Sequence, residues 1–403
     1  MEARIFTHIN DSTQPRAKGL LADILVAIEP SISIKDWPTQ AQSLALENYV
    51  ALEDATLVQH LRNAGANLKG RTAMAELGLG LENDTGAAAI ANGLVDVVLK
   101  TDTTGEARMA AANIGCFGFK PSYGLISRSG IIGLVPSMET CGILANSLDM
   151  ISKTVQAMVG IDQGDPSMDE PGIEKAMYGF SHPKDQDRPI TLGLIKGCTD
   201  DIDTTIDMDT AIDRLARSGL GIEKVEIKDF SLAPVVHNLI GSVEASSSAG
   251  KFDSVRYGHR TSALTKNWNE MYIKSRKESF GPLVKAYLFQ GGYFQYHNYN
   301  AFVDACRTRA RLIQDLERAF KTVDLILLPV SKSSASLNRP DTLSDLYDTF
   351  SLTVLANLTG NPAISIPGFP ALQLIGKRFD DPGLLALAAR ISDIHTGEIH
   401  HEI

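Results

Sequence analysis

From Thr349 to Gly376 the chain carries no charged side chain for 28 residues. An apolar stretch that long must either cross a bilayer or lie in the heart of a large core. Pro362, Pro367 and Pro370 interrupt it, and Asn357 and Asn361 sit inside it, so exposure to lipid would leave backbone groups unbonded. The segment is therefore expected as a buried helix followed by core strands, with no membrane insertion. A core of that size needs a large domain, and 403 residues at 44% hydrophobic and 21% charged can supply one.

Helix-spaced and β-branched segments alternate through the rest of the chain. A helical pattern runs from Glu53 to Ala64, followed by a short extended link from Asn67 to Gly70. Ala87–Leu94 is small and helix-prone, Val95–Leu99 is β-branched, and Ala107–Ile114 is again helix-prone. Small side chains let helices approach closely, which marks this region as the centre of the fold. Helices are further expected over 148–159, 207–218 and 301–320, and strands over 190–195, 222–227, 324–329, 363–367 and 371–375. This alternation predicts an α/β fold with a mixed twisted central sheet covered by helices on both faces. Residues 1–403 are read as one domain, with an N-terminal part to 165, a Pro-, Gly- and Asp-rich surface connection over 166–187, and the remainder from 188.

The balance of 38 Lys and Arg against 48 Asp and Glu gives a net charge of −10, which argues against direct nucleic-acid binding by phosphate neutralisation. Cys116, Cys141, Cys198 and Cys306 lie far apart, so neither a metal site nor a disulfide framework is expected and a reducing compartment fits. Glu2 and Asp11 stand near the start with no apolar run, so no secretory leader is expected. Gly65, Gly70, Arg71 and Thr72 mimic a phosphate-binding loop, but the lysine is missing and a helix precedes it, so it reads as a turn. The histidines, His400 and His401 included, are scattered without metal-ligand spacing. One Gly- and Thr-rich turn remains, Thr101-Asp102-Thr103-Thr104-Gly105-Glu106-Ala107-Arg108. Such a turn can aim successive N–H groups at one point, as an oxyanion hole requires, or it can simply start a helix.

TDTTGEAR followed by GFKPSYGLISRSGI resembles the amidase signature, DTGGSIR followed by GFKPTYGRVSRYG. EASSSAGKFDSVRYGHRT at Glu244–Thr261 is similar to a segment of the A subunit of glutamyl-tRNA(Gln) amidotransferase, and the likeness extends over nearly the whole chain. The resemblance implies the amidase-signature fold and a family chemistry in which a Lys deprotonates a cis-Ser, which activates a nucleophilic Ser, while N–H groups of the turn hold the oxyanion. Transferred position by position, the Lys of V-A-I-K-D-N-I falls at Glu29, within Val26 to Ile32. The GGSSGGSAAA run with the cis-Ser is missing between Gly78 and Ala89, and the nucleophile falls at Glu106. Asp102, Thr103, Gly105 and Arg108 match, with Thr104 in the same loop. The glutamine-anchoring Arg falls at Arg309, and its partner Asp at Phe350.

The resemblance thus implies a catalytically degenerate A-type subunit, a pseudoenzyme holding a B-type subunit plus a small linker subunit. ATP, Mg²⁺ and Glu-tRNA(Gln) would be carried by the partner, with no cofactor on this chain, and the complex would form Gln-tRNA(Gln) by transamidation. The alternatives are an active glutaminase with Thr103, Thr104 or Thr85 as substitute nucleophile, or a degenerate paralogue with no partner. If Glu29 and Glu106 keep the positions of the Lys and the Ser, they face each other across the old site; otherwise they are two solvated glutamates on a remodelled loop. Two charges about 4 Å apart repel by about 4 kcal/mol at an effective dielectric of ~20, which a shared proton or a cation would relieve. The opening IFTHIN resembles the fungal mitochondrial form and implies a matrix address, with the cytoplasm as the other choice.

Overall fold

A computed structural model describes residues 2–10, 18–81, 84–182, 188–199, 207–332 and 340–397. The uncharged segment is buried as expected. The helix Val354–Thr359 has all six residues buried, and the strands Ala363–Ile366 and Leu372–Ile375 that follow are buried throughout. No described helix is long and apolar enough to cross a membrane.

Eleven strands form one sheet: β1 Phe6–Ile9, β2 Leu25–Ile28, β3 Asn67–Thr72, β4 Val97–Asp102, β5 Phe117–Lys120, β6 Thr140–Ala145, β7 Thr191–Ile195, β8 Gly221–Val225, β9 Leu325–Pro329, β10 Ala363–Ile366 and β11 Leu372–Ile375. Their spatial order is β1-β3-β2-β4-β6-β5-β10-β11-β9-β7-β8. β2 runs parallel to β3 and β4, β7 runs parallel to β8 and β9, and the strands between them pair antiparallel, so the sheet is mixed. Side chains alternate across a strand, and in β9 Leu325 and Leu327 enter one core while Ile326 and Leu328 enter the other. Helices therefore cover both faces.

The extended link from Asn67 is the strand β3, which runs on to Thr72, and the phosphate-loop-like residues are a turn at Gly65 followed by that strand, with the Arg71 side chain buried. The stretch after 165 is more than a surface connection. Asp169 caps a helix over Glu170–Ser181, which buries Ile173 and Ala176 against the first core. Residues 183–187 of that connection, and His400 and His401, lie outside the described residues.

At the centre, the helix Glu106–Ile114 lies on β5 and β6 with almost no side chain between them. A Cβ on Gly118 would stand 2.4 Å from the Ala107 carbonyl oxygen, and one on Gly142 would stand 2.6 Å from the Ala107 Cβ. Gly115, in the left-handed region at φ 72°, ends the helix and donates its N–H to the Ala111 carbonyl. This close approach fixes the height of the Thr101–Arg108 turn above the sheet. Because backbone cannot move aside for a methyl group as a flexible side chain can, Gly118→Ala should destabilise the fold by about 1–3 kcal/mol. Urea denaturation measures this, and an unchanged midpoint would contradict the close seating of the helix.

Candidate functional site

The site lies where β2 and β4 end side by side. Glu29 follows β2 directly, and its N–H donates to the Leu99 carbonyl at 3.0 Å. β4 runs into the turn Thr103-Thr104-Gly105, which opens the helix at Glu106. Gly105 has φ 123°, a conformation suited to glycine, and a Cβ there would meet Thr353 at 2.4 Å.

The turn curls around the Glu106 carboxylate. Oε2 accepts the N–H groups of Thr103, Thr104 and Gly105 at 2.7, 2.8 and 3.0 Å. Oε1 accepts the Thr104 hydroxyl at 2.7 Å and the Gly80 N–H at 3.4 Å. Convergent amides of this kind form an anion-binding nest, and here the anion belongs to the chain itself. Burial, then the charge of Asp102, raise the pKa of Glu106, while the Thr104 and Thr103 donors oppose the rise. Glu106 is 1% exposed and Thr104 is fully buried. The Gly78–Leu81 segment reaches the turn through that Gly80 N–H.

A buried brace holds the turn from behind. Arg108 pairs with Asp102 at 3.3 Å, donates to the Thr353 carbonyl at 2.8 Å, and also donates to the side-chain oxygens of Gln373 and Asn357. Asp102 accepts the Ala107 N–H at 3.0 Å and the Asn357 amide at 2.7 Å. The Thr353 hydroxyl donates to the Thr104 carbonyl at 2.7 Å. On the other side, His237 Nε2 lies 2.9 Å from the Thr103 carbonyl, and its Nδ1 lies 2.9 Å from the Tyr347 hydroxyl, which meets Tyr287 at 2.9 Å. Burial pushes the His237 pKa down to about 4. The ring is therefore neutral near pH 7, with its proton on Nε2 facing an oxygen that can only accept. Nδ1 then accepts from Tyr347, and Tyr347 accepts from Tyr287.

Glu29 has a cation of the chain beside it, Lys100, and the Lys100 charge is favoured by Glu106 as well. The Glu29 carboxylate accepts the Thr101 N–H at 3.0 Å and lies 3.4 Å from Lys100 Nζ, which also pairs with Asp84. Burial raises the Glu29 pKa to about 8, although Lys100 pulls it down. Burial works against the Lys100 charge too, but Asp84 and Glu29 outweigh it and hold the lysine above its ordinary value. Among the described residues no cluster of three or more His, Cys, Asp or Glu side chains could hold a metal ion.

The other candidates are tied into the structure. Arg309 donates to the Leu358 carbonyl at 2.6 Å and to the side chain and carbonyl of Ser137 at 2.8 and 2.9 Å. Phe350 is packed in the second core. Thr85 donates to the Ile5 carbonyl at 2.5 Å and accepts the Ala73 N–H at 2.8 Å. Thr104 does have a base beside it, Glu106 Oε1, but both are sealed from solvent. Sequence reasoning gave no role at the site to Lys100, His237, Tyr347 or Asn357. Lys100 left a signal as a cation in the otherwise uncharged run from Val97 to Thr101, and Asn357 as an amide inside the uncharged segment.

Similarity to known proteins covers the chain almost end to end. A model of the amidase family matches residues 4–87 and 85–385. The A subunit of glutamyl-tRNA(Gln) amidotransferase from Natronomonas pharaonis is 30% identical over 417 residues, covering 95% of this chain and 98% of that protein. The corresponding protein from Lactobacillus gasseri is 31% identical over 421 residues, covering 94% and 87%. Crystal structures of the Thermotoga maritima counterpart (TM-score 0.77, 22% identity, 98% and 88% covered) and of the peptide amidase from Stenotrophomonas maltophilia (TM-score 0.72, 20% identity, 97% and 89% covered) share the fold.

The raised Glu29 pKa makes a signed prediction. The folded state keeps the Glu29 proton to about pH 8, whereas the unfolded chain releases it near the ordinary value of 4.5. Between those limits the fold holds the extra proton, so its stability falls as pH rises. Wild type should therefore lose stability relative to Glu29→Gln as the pH rises from about 5 to about 8. Urea denaturation at stepped pH measures the difference, and a constant gap across the range would contradict it.

Proposed function

Because the chain belongs to the amidase family, we propose that it is an A-type subunit of a tRNA-dependent amidotransferase whose own amide-hydrolysing site is closed. It acts by holding the partner chains. The observation that carries this reading is the Glu106 carboxylate seated in the N–H groups of Thr103, Thr104 and Gly105.

Amide hydrolysis through a covalent intermediate needs a nucleophile, a base and donors free to receive an oxyanion. Here those donors are already engaged. A substrate oxygen arriving from solution would have to displace a carboxylate tethered beside the same amides, and tethering gives that carboxylate the advantage of an intramolecular partner. The lysine charge has moved to Lys100, where it is committed to Glu29 and Asp84. Arg309 is committed to Ser137 and Leu358, and Phe350 offers no charge to a substrate amino group. What remains intact is the brace around Arg108, which supports a shape.

The relatives that bear the name of the amidotransferase A subunit support the rest of the reading. In it, this chain holds a B-type subunit together with a small linker subunit. ATP and Mg²⁺ are bound by the B-type partner, Glu-tRNA(Gln) is met through the complex, and the nitrogen comes from elsewhere. The mitochondrial matrix is proposed on the likeness at Ile5–Asn10. One observation favours a second reading, an active glutaminase: the Thr104 hydroxyl lies 2.7 Å from Glu106 Oε1, a pairing of hydroxyl and base.

The test is conversion of Glu-tRNA(Gln) by the complex isolated natively, with ATP and either ammonium or glutamine as nitrogen donor. At micromolar concentration the chain should co-purify with a B-type partner, and ammonium alone should support conversion. Glutamine-dependent conversion that disappears with Thr104→Val would establish the second reading. Failure to recover any B-type partner would leave the partnerless paralogue.

A further inference from the structure

The segment that reaches Glu106 through the Gly80 N–H is itself held from further out. The Leu77 N–H donates to the Ala41 carbonyl at 2.9 Å, and the Glu76 carboxylate accepts the Ser43 hydroxyl at 2.6 Å and the Gly281 N–H at 2.8 Å. The loop 41–48 thus supports the strap 76–80. Both are strained. Ala41, Gln42 and Leu77 take φ 43°, 55° and 53°, a left-handed conformation that is costly for a residue with a Cβ. Backbone in that state persists only where its surroundings fix it.

Inside, Ala41, Ala45 and Leu46 are fixed in the second core. Outside, the loop meets the segment 255–261. The His259 N–H donates to the Leu44 carbonyl at 2.9 Å, the Tyr257 and Tyr49 ring centres lie 5.4 Å apart, and a Cβ on Gly258 would stand 2.1 Å from the Ala45 carbonyl oxygen. An ionisable bridge closes this seam. His259 Nδ1 lies 3.4 Å from Glu47 Oε2, at the end of the loop, and Nε2 lies 2.7 Å from Glu278 Oε2, on the helix Trp268–Ser279. A neutral imidazole has one N–H and one lone pair, so only the imidazolium can donate to both carboxylates.

We propose that His259 is a pH-operated latch: its protonated ring ties Glu47 to Glu278 and holds the loop 41–48 and the strap 76–80 in place, and its neutral ring lets them open. The groups around it act in the same sense. Glu278 also accepts the Thr261 hydroxyl at 2.8 Å, and Lys274, one turn before it, is paired with Glu270 at 2.9 Å. In the ring's own segment Arg260 follows it, and Arg256 is paired with Asp253 at 2.9 Å. The hydrogen bond to Glu278 raises the His259 pKa above its ordinary 6.5, Glu47 adds to the rise, and His259 in turn lowers Glu278. The bridge is therefore complete below pH 6.5 and is lost as the pH climbs through the raised value. The latch stands whether or not the chain serves an amidotransferase.

Hydrogen exchange at the His259 and Leu77 amides of the full chain, stepped from about pH 6 to about pH 9 and corrected for the intrinsic rate, reads the opening. Protection at both should fall by about threefold or more, the scale of exposed ion pairs. Glu29 titrates over part of the same range and acts on the whole fold, so the β6 amides serve as the reference. In His259→Gln, which carries no charge at any pH, the two amides should follow β6. By NMR the His259 ring should titrate above 6.5, and closer to 6.5 in Glu278→Gln. Both variants change surface side chains, and circular dichroism confirms that they fold. Wild-type amides that follow β6 at every pH, or an unchanged pH response in His259→Gln, would overturn the proposal. So would a response at His259 without one at Leu77, or a ring that titrates at or below 6.5.

Discussion

Five donors converge on the carboxylate of Glu106, and the centre of the protein is arranged to keep them there. Three are successive backbone amides, which can point to one spot only because Gly105 takes φ 123° and the helix Glu106–Ile114 begins at once. The helix holds its height because Gly118 and Gly142 let it rest on the sheet, and the turn is braced in depth by Arg108, Asp102 and Asn357. The buried carboxylate lies at the N-terminus of its own helix, where the dipole favours negative charge. A buried carboxylate without such partners would cost far more than the fold could offset. The turn and its filling group are therefore one structural unit.

The neighbouring charges follow the same logic in reverse. A carboxylate at Glu29, where the family likeness expects a lysine, would be isolated at the end of β2 without a cation nearby. Lys100 supplies one from β4, the adjacent parallel strand, and Asp84 completes the group. The compensation is incomplete, since Glu29 keeps its proton well above the ordinary range. Removing one partner from such a buried group costs more than the pair contributes, so these substitutions hold one another in place. His237, Tyr347 and Tyr287 extend the unit to the helix Pro282–Tyr296.

Much of this was legible before any coordinates. The uncharged run over 349–376 could only be core, and it became the helix Val354–Thr359 with β10 and β11. The alternation of periods identified the mixed sheet, and the small residues around Ala107 identified its centre. The helix over Glu170–Ser181 was lost because Pro171 and Gly172 read as breakers, although a first-turn proline needs no hydrogen-bond donor there and is tolerated. The fates of Glu29 and Glu106 were hidden for a different reason. Family resemblance identified both positions, but the groups that satisfy Glu106 are mostly backbone amides, which leave no mark in a sequence. Lys100 was visible as a cation in a buried strand, and a count of charges at strand ends would have paired it with Glu29.

The central claim is that the amides of the turn are filled from within. Hydrogen exchange at the backbone N–H groups of Thr103, Thr104 and Gly105 tests it most directly. A carboxylate seated on all three and sealed from solvent predicts protection matching that of the β4 and β6 amides, lost in Glu106→Ala while the β6 amides stay protected. Exchange in the wild-type protein near the rate of an open loop would contradict it, because an anion cradle left free for a substrate is open to water.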